Sequence, residues 1–175
     1  MSLRPPALLA AAAASLALAS PAAGARSQLG QLVPGSGRAV PPLAGIDPVT
    51  GKRVSLAQWR GRPLLLNLWG SWCSPCRREA RELARFLARH PRSLLGIDVE
   101  DSKAGARSFA RRYGTRFPSI FDPRDRLVHR LQATGTPTTL FLDRRHRVVA
   151  VLYGPGTLAL FERGYRLATR SPSSR

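Results

Sequence analysis

The stretch Leu64-Leu65-Leu66-Asn67-Leu68 is an almost unbroken apolar run, and it empties through Trp69-Gly70-Ser71-Trp72 into Cys73-Ser74-Pro75-Cys76. A short run without polar alternation reads as a strand buried on both faces, the pattern of a parallel sheet covered by helices. The Cys-x-x-Cys pair falls at the start of a helix predicted from about Cys76 to His90, with Ala80, Leu83, Phe86 and Leu87 inward and arginines outward. Fold and chemistry are constrained together: the strand must be central, and two thiols must sit at its end.

Backbone N–H groups in the first turn of a helix lack intrahelical partners and carry partial positive charge, so a thiolate there ionises below the range of free cysteine. Cys73 is therefore the expected attacking sulfur. The two-residue spacing lets Cys76 attack a mixed disulfide formed on Cys73, which makes Cys76 the expected resolving thiol. Pro75 suits the first helical turn, where its missing N–H costs nothing, and Ser74 is small enough to leave the approach to Cys73 open. A purely structural bridge between positions 73 and 76 would close too short a loop to stabilise the chain much. Covalent haem attachment would need histidine where Arg77 stands, and His90, His129 and His146 lack the spacing of a zinc site, so no metal and no cofactor is expected beyond the cysteine pair.

Far downstream, Gly135-Thr136-Pro137-Thr138-Thr139-Leu140-Phe141-Leu142-Asp143 sets a proline between a turn glycine and a strand, a candidate cis proline. Together with Trp72-Cys73-Ser74-Pro75-Cys76, this motif resembles the thioredoxin superfamily, specifically its exported TlpA/ResA/CcmG-like branch. Residues 54–63 and 117–123 are similar to the branch's opening segment and central insertion, and the likeness runs from about 41 to 168. The resemblance implies an α/β, thioredoxin-like fold: a central mixed sheet with helices on both faces, an N-terminal hairpin and a central insertion. It also implies that Pro137, with Thr136 before it, packs on the active-site disulfide and offers a backbone edge to substrate peptides.

Trp72 either shields the disulfide and offers substrates an apolar surface or simply packs under the loop. Asn67 stands where thioredoxins proper carry a buried carboxylate, so proton transfer at Cys76 needs another group. Glu79, one turn past Cys76, is the candidate, because a nearby negative charge raises a cysteine pKa; the competing expectation is an exposed Glu79 paired with a helix arginine. Two residues depart from the branch. Arg81 replaces a kinking proline and predicts a straighter helix, and His146 replaces a turn glycine and predicts another turn type in the closing hairpin.

Residues 1–25 read as a secretory signal: Arg4 precedes an apolar segment from Ala7 to Ala19 and a small-residue cleavage site at Ala23-Gly24-Ala25. That segment is shorter than the roughly 20 residues that cross a bilayer, so release is expected, with an uncleaved membrane tether as the alternative. Residues 26–40 read as a flexible linker, 41–169 as one domain, and 170–175 as a disordered tail. A formal charge of +18 first suggests nucleic acid, but Arg77, Arg81, Arg85, Arg111, Arg124 and Arg144 lie on several elements instead of one block, so nucleic-acid binding is not expected.

The resemblance implies a monomeric, extracytoplasmic thiol-disulfide oxidoreductase, periplasmic or secreted. Its expected partners are exported cysteine-containing proteins, such as apocytochrome c before haem attachment, and a membrane electron donor of thiol type. The alternatives are a non-catalytic thioredoxin-like binding module and an exported thiol oxidase. Cys-x-x-Cys proteins span about −120 to −270 mV, and Ser74-Pro75 does not choose a place on that scale.

Overall fold

The computed structural model describes residues 30–170; the expected leader and the tail past Arg170 lie outside the described residues. The apolar run becomes β4 (Leu64–Trp69), with every residue buried. On one side β4 pairs in parallel with β5 (Leu94–Val99), and β5 with β6 (Ser119–Asp122). On the other side it pairs antiparallel with β7 (Thr138–Leu142), which pairs with β8 (Val148–Tyr153). With β1 (Gln31–Pro34) along the outer side of β8, the order β1-β8-β7-β4-β5-β6 makes this the expected mixed sheet, with the active-site strand inside it.

Two helical crossovers build the parallel half. α1 (Ser74–Arg89) joins β4 to β5, and α2 (Lys103–Tyr113) joins β5 to β6. Right-handed crossovers between strands added in one direction land on one face, and both helices do. There Leu65 and Trp69 of β4 pack with Phe86 of α1, Phe109 of α2 and Phe161 of α4 (Leu158–Arg170). Leu64, Leu66 and Leu68 point to the opposite face, where they meet Leu43, Val54, Leu56 and Trp59. That face is covered by the hairpin β2 (Ala44–Ile46) and β3 (Arg53–Ser55), a 3₁₀ turn at Leu56–Trp59, and the short helix α3 (Arg126–Leu131). Helices thus cover both faces, three long ones against one short.

α1 begins at Ser74, two residues earlier than the pattern suggests, because Cys73 acts as its N-cap: the sulfur accepts the Cys76 N–H at 3.1 Å. The helix continues unbroken through Arg81, where no proline removes a hydrogen bond. It stops at His90 because Pro91 cannot follow a helical residue without a clash. Gly164 in α4 has a packing reason. A Cβ there would lie 2.3 Å from the Phe141 ring, so glycine lets the helix sit directly on β7.

The linker expectation for 26–40 needs correction. Gln31–Pro34 is β1, paired antiparallel with β8 in the main sheet. Leu32 and Val33 pack against opposite core clusters, so this polar-looking interval carries a strand's alternation in its two apolar residues. Gly35, read as a sign of flexibility, is instead required by contact: a Cβ there would meet the Val148 carbonyl at 2.3 Å. His146 also departs from expectation. It takes the left-handed backbone that glycine favours (φ 56°), and its ring nitrogen lies 3.1 Å from the Trp59 carbonyl, so the turn keeps this conformation without glycine.

Candidate active site

β4 delivers its C-terminal end to a loop, residues 70–73, and the loop delivers two sulfurs to the start of α1. Cys73 and Cys76 form a disulfide with a Cα–Cα distance of 5.3 Å. In this oxidised state Cys73 is 3% and Cys76 1% exposed, so both sulfurs are sheltered although Ser74 between them is exposed. The Cys76 N–H that points at the Cys73 sulfur is one of the unpartnered amides of the first turn, the group expected to hold a thiolate after reduction.

The loop is pinned from its flanks. Asp101, just before α2, accepts the Ser71 N–H at 2.6 Å and the Ser71 hydroxyl at 2.8 Å. Arg77 of α1 donates to the carbonyls of Ser71 (2.8 Å) and Trp72 (3.2 Å). The Trp72 indole donates to the Val99 carbonyl at 3.0 Å, yet the residue is 52% exposed. The ring is fixed at one corner, lies against Gly70 and stays half open to solvent. The Thr136–Pro137 peptide is cis, as the sequence suggests. Leu68 of β4 lies opposite Thr138 of β7, so the antiparallel register brings Thr136 and Pro137 to the sheet end from which the cysteine loop leaves. Pro137 is buried, its carbonyl accepting the Gly154 N–H at 3.0 Å, and Thr136 is half-buried.

Beneath α1 lies a buried polar cluster in which the Asn67 side-chain oxygen alone is left without a partner. The Asn67 amide donates to Glu79 Oε1 and to Thr139 Oγ1, each at 3.0 Å, and Glu79 Oε2 accepts the Gly156 N–H at 2.8 Å. Glu79 is 1% exposed, so its pairing with a surface arginine is ruled out. Burial pushes its carboxyl up to about 7, the Gly156 and Asn67 hydrogen bonds pulling the other way without prevailing. Cys76 and Glu79 are three residues apart on the buried face of one helix, the spacing at which helical side chains are neighbours.

A second buried acid escaped the sequence reading. Asp98 on β5 is fully buried, and neither carboxyl oxygen has a hydrogen-bond partner. Burial first, then the nearby Asp101 charge, with that of Asp47 behind, drives its pKa up to about 9. The signal was present as a lone acid in the run Leu94–Val99. The Asp101–Ser71 and Glu79–Gly156 contacts left no local signal, since each joins residues 30 or more positions apart. Among the described residues no group of three His, Cys, Asp or Glu is placed to hold a metal, and no helix is long and apolar enough to cross a membrane.

The AhpC/TSA family profile matches residues 37–151. The thiol-disulfide oxidoreductase ResA of Geobacillus thermodenitrificans is 30% identical over 115 residues, 64% of this chain and 66% of that protein. ResA of Bacillus subtilis is 29% identical over 116 residues, 64% of each; the chain thus spans about two thirds of the length of these relatives. Among solved structures, a DsbF homologue from Corynebacterium diphtheriae superposes with a TM-score of 0.70 at 28% identity, covering 87% of this chain and 99% of that one. A secreted thiol-disulfide isomerase from Corynebacterium glutamicum superposes with a TM-score of 0.69 at 26% identity, covering 88% and 98%.

Proposed function

Since the chain belongs to the AhpC/TSA family and has a thioredoxin-like fold, we propose that it is an extracytoplasmic thiol-disulfide oxidoreductase working through Cys73 and Cys76. The observation that carries this reading is the Cys73 sulfur at the N-cap of α1, accepting an amide N–H and joined to Cys76. In the dithiol state the Cys73 thiolate attacks one sulfur of a substrate disulfide, forming a mixed disulfide and releasing the other substrate sulfur as a thiolate. Cys76 then loses its proton and attacks the Cys73 sulfur. The second substrate sulfur leaves, the substrate has gained two electrons, and the Cys73–Cys76 disulfide is restored. Glu79, poised near neutrality one turn from Cys76, takes that proton directly or through one water.

Trp72 and the Thr136–Pro137 edge flank the cysteines at the same sheet end and suit an extended substrate segment. No cofactor enters this cycle. The direction we favour is reduction of selected exported proteins, apocytochrome c among them, fed by a membrane thiol donor; oxidation is the same chemistry run backwards, and a potential near −120 mV would select it. A Cys76→Ser variant in the native host tests the reading. It accumulates disulfide-linked partners through Cys73 that mass spectrometry identifies; recovery of none, with insulin reduction no faster than dithiothreitol alone, leaves only a binding module.

A further inference from the structure

At the β6 edge of the sheet, the β2–β3 hairpin and the C-terminal half of α2 enclose a cleft of about 760 Å³ that shares no residue with the cysteine loop, α1 or the Pro137 segment. That volume lies within the range of sites that hold drug-sized molecules. Its apolar surface comes from Val54 and Phe117, both buried, with Val49, Ala110 and Pro118. Around it stand five exposed cations: Lys52, Arg53, Arg107, Arg111 and Arg116.

Arginine is abundant throughout this chain, so its presence on a surface means little by itself. Two observations set this cleft apart. Among the described residues none of the five cations is ion-paired, whereas Arg85 and Arg89 of α1 are paired with Glu82 and Glu162. The one carboxylate lining the cleft, Asp47, is already committed: one oxygen accepts the N–H groups of Val49 and Thr50 at 2.9 and 2.7 Å, and the other accepts that of Ser119 at 2.9 Å. Five positive charges therefore face an apolar hollow whose lining holds a single carboxylate, Asp47, buried and turned to backbone amides, so a net positive charge is left over.

We infer that this cleft is a binding site for an amphiphilic anion, with a phosphate or carboxylate head held by the Arg107–Arg111 side and an apolar body laid against Val54, Ala110 and Phe117. Guanidinium groups bind both kinds of head bidentately, which fits arginine better than lysine for the task. Arg107 and Arg111 lie one helical turn apart on α2 and so present their charges together.

Calorimetry on the purified chain decides the matter, with decyl phosphate below its micellar concentration as the probe and inorganic phosphate and decyl maltoside as its two halves. Decyl phosphate binds one to one, at least tenfold more tightly than either half. Arg107→Ser with Arg111→Ser weakens it tenfold or more, while the charge-matched control Arg144→Ser with Arg163→Ser changes it less than twofold. Ala110→Phe fills the hollow and weakens binding with every charge in place. All variants melt like the parent and keep its insulin-reduction rate, so a failure here leaves the thiol chemistry untouched. Equal weakening by the two arginine pairs, decyl maltoside binding as tight as decyl phosphate, or no binding of decyl phosphate overturns the proposal.

Discussion

Two buried carboxyl groups, Glu79 on α1 and Asp98 on β5, differ in what surrounds them. Glu79 reaches Asn67 and Gly156, both N–H donors, and is held near 7; Asp98 has no donor and two other acids nearby, and is held near 9. Desolvation acts on both. The donors separate the two: they recover part of the charged form of Glu79, while Asp98, with acids and no donor around it, is pushed further up. On the mechanism proposed above, that difference is what would let Glu79 and not Asp98 carry a proton.

The sharpest way to break this contrast is Glu79→Gln. Glutamine keeps an acceptor for Gly156 but cannot take a proton, so resolution of a mixed disulfide slows by about a hundredfold, read by stopped-flow, and loses its rise with pH through about 7. A rate profile unchanged from the parent would remove Glu79 from the chemistry.

Asp98→Asn gives the complementary result. A carboxyl whose folded pKa exceeds its unfolded value binds protons more tightly when folded, so its contribution to stability is fully present below the unfolded value and is lost as pH rises through the folded one. For Asp98 that window runs from 3.8 to about 9, and for Glu79 from 4.5 to about 7. Asparagine cannot ionise, so the variant flattens the decline and gains on the order of 2 kcal/mol at pH 8, read as a higher melting temperature, while exchange rates move less than about twofold. The smallest effect belongs to Trp72→Ala. It loses about 1 kcal/mol of apolar contact with a protein substrate, a several-fold rise in KM with kcat little changed, and no change with a small-molecule disulfide.

Much of this was legible in the chain itself, for physical reasons. The run from Leu64 reads as a central strand and is one, and the paired cysteines fall at a helix start, where first-turn amides favour a thiolate. What escaped was decided by partners distant in sequence. The helix carried one sign that Glu79 faces the core, its place four residues before Leu83 and seven before Phe86 on the apolar stripe, but the Asn67, Thr139 and Gly156 groups that converge beneath it left no local trace. β1 escaped because its proline and the flanking Gly30 and Gly35 advertise a loop, while the carbonyl that excludes a side chain at Gly35 belongs to β8.

That strand has a practical consequence. Gln31–Pro34 lies along β8 from Tyr153 to Ala150 and ends in a proline, so the row of amides and carbonyls on that side is occupied by a short, blunt neighbour. A chain begun at residue 37, where the family match starts, would bare this apolar border as a template for another molecule's backbone. It would be prone to self-association and aggregation even with every cysteine and its surroundings intact.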